Sequence, residues 1–240
     1  MKLSFSTKGW HDNTFEQFCE IASDLKFQGI ELHNINNRLF TDKDGAFHDY
    51  SAAATLRRMY EKKLQIPCFD TSCDLSGEET AVQTLSELLE IAHNTQVPYV
   101  VCCALQENEA EVIGKIRQLL PKAENLGVTL LLKTSGIYAD TARLRKLLDC
   151  FPSDYLAALW DVHHPYRDFG ESGDTTIKNL GAYVGHVHLR DSDDAGTYQL
   201  IGEGTMPIGD VMRALSSVNY DGFISLEWKP EWLEDLQDPE

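Results

Sequence analysis

Positive charge is scarce in this chain. Lys and Arg total 21 against 38 Asp and Glu, for a formal net charge of −17. So anionic a chain is poorly suited to nucleic acid phosphates or anionic membranes, and neither is expected as a partner. Long apolar runs are also missing. No stretch approaches the ~20 apolar residues of a membrane span, and the opening MKLSFSTKGW has too short an apolar run for a signal peptide. Six cysteines are present (Cys19, Cys68, Cys73, Cys102, Cys103 and Cys150), but none form a CxxC pair or a metal-finger spacing. They read as reduced thiols of a cytoplasmic protein rather than a disulfide framework. The Gly-rich dinucleotide fingerprint is absent after the first β-prone run, which argues against a doubly wound nucleotide-binding sheet. No low-complexity linker, charge block or short-period repeat divides the chain, so residues 1–240 are expected to form one domain.

What is there alternates. Apolar runs of strand length occur at Leu3–Thr7, Gly29–His33, Gln65–Asp70, Pro98–Ala104, Val128–Leu132, Leu156–Trp160, Val184–Leu189 and Phe223–Leu226. Between them lie stretches of helical periodicity. The first places Phe15, Phe18, Ile21, Ala22 and Leu25 on one face, with Asn13 or Thr14 as cap. Others are expected at Ala52–Leu64, Ser76–Gln96, Glu109–Leu126, Ala139–Cys150, Asp174–Leu180 and Ile208–Val218. Eight strands alternating with helices predict an α/β fold, the (β/α)8 TIM barrel. After the eighth strand the segment PEWLEDLQDPE is too short for a full closing helix, so the last helix is expected to be shortened or missing. A homodimer partner or the long loops would then cover that face.

In such a barrel the strand C-termini converge on one mouth. Asp161, His188 and Glu227 follow strands six, seven and eight. Two carboxylates and an imidazole form a mixed oxygen and nitrogen set suited to Mn²⁺, Mg²⁺, Co²⁺ or Zn²⁺, against which each residue alone reads as a loop cap or surface charge. His164 is placed to contact a substrate oxygen, and Arg190 to hold a hydroxyl or phosphate oxygen or to make an ordinary salt bridge. Trp10 and His11 after strand one, and Glu31 and His33 at strand two, are further candidates for lining the mouth. His186 sits one layer deeper than His188 and reads as a buried, satisfied histidine, and His163 as a packing residue. Gly202-Glu203-Gly204 reads better as a turn than as an anion-binding loop.

The motifs LWDVHHPY, HVHLRD, GEG followed by MPIGDVMRAL, and NYDGFISLEW, with STKGW and LKFQGIEL near the start, resemble the xylose isomerase-like TIM-barrel superfamily. The likeness is to its sugar phosphate isomerase/epimerase group. It implies a sugar or sugar phosphate isomerase or epimerase acting by metal-assisted proton transfer next to a carbonyl. It further implies a divalent metal on Glu, Asp, His and Glu from strands five to eight, three of which match Asp161, His188 and Glu227. His164 matches a substrate-contacting histidine and Arg190 a basic position beside the substrate. The chain departs from the pattern at strand five, GVTLLLKTSG, where Lys133 stands in place of the first glutamate. A protonated lysine has no lone pair for a metal and is expected to pair with Asp161 and Glu227 instead. Three accounts stay open: Lys133 swings outward beside a weak three-ligand site, its ammonium takes the metal's place in a non-catalytic sugar-binding barrel, or it serves as a base in altered chemistry. A relative of apurinic-site endonucleases would need more metal ligands and basic surface, and the net charge argues against it.

Overall fold

A computed structural model describes residues 1–10, 13–34, 45–48 and 51–228. Eight parallel strands close into a barrel: β1 (Lys2–Ser6), β2 (Gly29–His33), β3 (Cys68–Asp74), β4 (Tyr99–Cys103), β5 (Thr129–Lys133), β6 (Leu156–Asp161), β7 (Val184–Leu189) and β8 (Phe223–Leu226). Each pairs with its sequence neighbour, and β8 closes on β1 through Lys2↔Phe223 to Phe5↔Leu226. The helices are α1 (Phe15–Asp24), α2 (Ala52–Glu61), α3 (Ala81–Thr95), α4 (Glu109–Leu126), α5 (Thr141–Leu148), α6 (His163–Phe169), α7 (Gly173–Leu180) and α8 (Ile208–Ser217). The (β/α)8 expectation holds. The segment after β8 in which a shortened closing helix was expected lies outside the described residues. Among the described residues no helix is long and apolar enough to cross a membrane.

Local chemistry sets the helix starts. Thr14 caps α1 in a capping box: its hydroxyl accepts from the Gln17 amide at 3.3 Å, and the Gln17 side chain accepts from the Thr14 amide at 2.7 Å. Asp140 caps α5 by accepting from the amides of Ala142 and Arg143, and Ser172 caps α7. Several boundaries differ from expectation, and two of the differences have a clear local cause. β3 begins at Cys68 because Pro67 has no amide to donate to a ladder, leaving Gln65 only an isolated bridge to Gly29. Helix α3 begins at Ala81 because Ser76 is held in a turn: its hydroxyl bonds Asp74 and accepts from the amides of Leu105 and Gln106. Helix α6 and the two-residue ribbon Asp191–Ser192 with Tyr198–Gln199 had no signal in the periodicity.

The apolar core divides in two. The larger part lies between strands and helices and includes Phe18, Leu32, Phe69, Leu88, Leu132, Trp160 and Ile224. A smaller cluster of Cys68, Val101, Leu131 and Leu159, with Tyr99 and Ala157 against it, fills the barrel interior. Two residues further along the same strands stand Asp70, Cys103, Lys133 and Asp161. Strand alternation keeps each pair on one side, so an apolar plug lies beneath a charged layer at the C-terminal mouth.

Candidate active site

Strand β5 ends on Lys133, β6 on Asp161, β7 brings His188 one residue from its end, and Glu227 follows β8. All four are buried. Lys133 Nζ lies 3.3 Å from Asp161 Oδ2, and 3.3 and 3.2 Å from Glu227 Oε1 and Oε2. Its ammonium therefore has three carboxylate oxygens within reach for its three N–H donors. Arg190 donates Nη2–H to Asp161 in a very short contact, and its Nε lies 3.4 Å from Glu227 Oε2. Lys8, just beyond β1, reaches Glu227 Oε1 at 2.6 Å. Three cationic side chains thus close around two carboxylates.

Glu31, in the middle of β2, is also buried and accepts from both histidines of β7: its Oε2 lies 2.9 Å from His186 Nε2 and 2.8 Å from His188 Nε2. His186 also meets Ser225 Oγ at 2.9 Å, and Ser225 meets Ser4 Oγ at 2.8 Å, so the deeper layer is a continuous polar chain. His188 Nδ1 points to Glu227 Oε2 at 3.4 Å. Burial pulls the His188 pKa down, but Glu31 and Glu227 outweigh it and the net shift is up to about 9. Burial raises the Asp161 and Glu227 carboxyls. For Asp161, Arg190 and Lys133 more than reverse this, and for Glu227, Lys133, Arg190 and His188 do so, leaving both well below the usual carboxylate range. The same carboxylates hold Lys133 above its ordinary value against burial.

The other anticipated residues occupy the rim. His164, in the first turn of α6, bonds Asp168 Oδ2 at 3.0 Å. His163 is buried and meets Ser192 Oγ at 3.1 Å, and its ring lies 5.0 Å from that of Tyr198. Trp10 packs edge-on to Trp228 at 6.3 Å and tilted on Phe5 at 5.4 Å. Gly9 beside it has no room for a side chain, since a Cβ would lie 2.5 Å from the Trp228 carbonyl oxygen. His33 Nδ1 stands 3.7 Å from Asp70 Oδ2. His11 lies outside the described residues. The Gly202–Gly204 loop is spent on the protein itself. Its amides donate to Asp191 Oδ2 at 2.8 and 3.2 Å, while the amides of Ser192 and Met206 donate to Oδ1 at 2.8 and 3.1 Å.

Sequence reasoning overlooked Lys8, Asp70 and Tyr198. Asp70 has the signal that exposed Asp161, an acidic residue closing an apolar run. Lys8 lies two residues past β1 and is recognisable only by its approach to Glu227. Tyr198 reaches the site on the ribbon, where it accepts from Arg190 Nη1 at 3.2 Å.

Asp161, His188 and Glu227 each offer a ligand atom, all within 4.8 Å of one another. The donor set converges, but its charge does not fit a resident divalent cation. Both carboxylates already face Lys133 and Arg190, and Glu227 faces Lys8 as well, so an added ion would meet three positive charges within its first two shells.

A family model described as xylose isomerase-like TIM barrel matches residues 19–239. The fructoselysine 3-epimerase of Escherichia coli O157:H7 is 25% identical, over 95% of this chain and 90% of its own. Among solved structures, the IolI protein with a binding zinc atom superposes with a TM-score of 0.81 at 16% identity, covering 98% of this chain and 91% of that one. A D-tagatose 3-epimerase-like protein gives 0.75 at 15%, covering 98% and 97%. The two structures share the fold with this chain.

Proposed function

Since the chain belongs to the xylose isomerase-like TIM barrel family, we propose that it takes a small sugar or polyol at the barrel mouth and moves a carbon-bound proton next to a carbonyl, as a sugar isomerase or epimerase. The observation that carries this reading is Glu227, a carboxylate at the end of β8 with Lys133, Arg190, Lys8 and His188 all directed at it. Proton abstraction beside a carbonyl needs a base within reach of the carbon and positive charge at the oxygen where the enolate forms. Glu227 is the base in this reading. Lys133 supplies N–H donors for the carbonyl oxygen, and Arg190 supplies charge beside it. When a carbonyl oxygen accepts from Lys133, Glu227 loses one of the partners that depress its basicity, so ligand binding itself raises its readiness to take the proton.

His164 and Trp10 would meet the sugar's outer hydroxyls or frame its entry, while Glu31 acts from beneath by holding His188. The amides that follow β7 are committed to the Asp191 carboxylate, which favours an unphosphorylated ligand at that loop. A second reading is binding without turnover. The same ion pairs favour it, since Glu227 has both oxygens engaged and a depressed pKa.

The two separate in deuterium oxide. Incubation with a panel of ketoses is expected to wash deuterium into the carbon next to the carbonyl, read by proton NMR. Glu227→Gln should lower the rate by at least about 100-fold. Binding of a ketose without exchange selects the second reading, and absence of both binding and exchange refutes both.

A further inference from the structure

The cluster of opposite charges at the barrel mouth suggests what fills the place between Asp161 and Glu227. We propose that the Lys133 ammonium is the permanent cation of this site, seated between the two carboxylates where a divalent ion would otherwise lie, so that the protein takes up no divalent metal there.

The assignment rests on position and count. Asp161, His188 and Glu227 come from three consecutive strands and bring their donor atoms within 4.8 Å of one another, near enough for one ion to touch all three. Lys133, on the adjacent strand β5, sends its Nζ to the two acidic members at 3.2–3.3 Å. That is hydrogen-bonding distance for an ammonium, and the same oxygens are the ones a metal would need. Lys133 is buried, so swinging it into water would unmake three contacts and leave Asp161 and Glu227 with fewer partners in a low-dielectric site. Arg190 and Lys8 add further positive charge to the same oxygens. The layer is thus neutralised by the chain's own side chains, and no divalent cation is required to hold its carboxylates together.

The proposal does not depend on the substrate and is tested without one. Mn²⁺ binding is measured by isothermal titration calorimetry and by bound-metal analysis after gel filtration, for the full chain and for Lys133→Glu and Lys133→Gln. The native chain is expected to retain no stoichiometric Mn²⁺. Lys133→Glu changes the local charge by two units about 4 Å from the ion, which even at the dielectric constant of water corresponds to an affinity gain of about 1,000-fold. Lys133→Gln, which removes one unit and keeps a similar volume, should gain about 30-fold by the same reckoning. Thermal melts establish that the variants are folded, and the glutamine variant serves if the glutamate one is not. One equivalent of Mn²⁺ tightly held by the native chain would overturn the proposal, as would folded variants whose affinity for Mn²⁺ stays within threefold of the native chain's.

Discussion

Replacing Asp191 by alanine tests how the loop after β7 is built. The Asp191 carboxylate is buried and accepts four backbone amides: Ser192 and Gly202 at 2.8 Å, Met206 at 3.1 Å and Gly204 at 3.2 Å. The glycines lie near the surface, where water can replace the lost acceptor, but Ser192 and Met206 are buried and would keep unpartnered donors. At about 1–3 kcal/mol for each orphaned buried donor, the expected loss is about 4 kcal/mol. Asp191→Asn retains one acceptor oxygen and should lose about half of that. Gly204→Ala attacks the same contact from the other side, because its Cβ would run into the Asp191 carboxylate, and it should be similarly harmful. The assay is equilibrium urea unfolding, with limited proteolysis of the segment 193–205 as a local probe. Tyr198 rides on this loop and accepts from Arg190, so ligand binding should weaken in the same variants. A loss below 1 kcal/mol for Asp191→Ala, with an unchanged cleavage pattern, would refute the view that this carboxylate organises the loop.

Thiol labelling checks burial. Burial raises Cys19 to about 11, outweighing Lys62 and Arg58, and burial with Asp70 and Asp74 raises Cys103 to about 12, so neither is a thiolate at about pH 8. Cys150 alone is exposed, so an aromatic disulfide reagent should modify one thiol rapidly in the native protein and the other five only after unfolding. Leu131→Ala should open a cavity in the barrel interior between Cys68, Val101 and Leu159 and cost about 3 kcal/mol in urea unfolding. A cost under 1 kcal/mol would mean the inner cluster is poorly packed.

The barrel was legible because its signals are local. Apolar runs bounded by turn residues mark strands, helical spacing marks the intervening segments, and eight repeats of that pair leave little choice of architecture. Asp161, His188 and Glu227 could be brought together from the sequence for the same reason, since the closing positions of parallel strands share one rim whatever the loops between them. Lys133 announced itself as a charge where a carboxylate is expected, and its preference for Asp161 and Glu227 follows from charge alone.

The rest needed three dimensions. Lys8 is separated from Glu227 by the whole barrel in sequence and meets it only because β8 closes on β1. Glu31 joins His186 and His188 across more than 150 intervening residues, and the Gly-Glu-Gly turn proves to enclose Asp191, a commitment that no spacing could disclose. Periodicity determines which elements form and which ends they present, because it depends on the backbone's own geometry. Which side chains finally share an oxygen depends on barrel closure, register and loop path, and these exist only once the chain is folded.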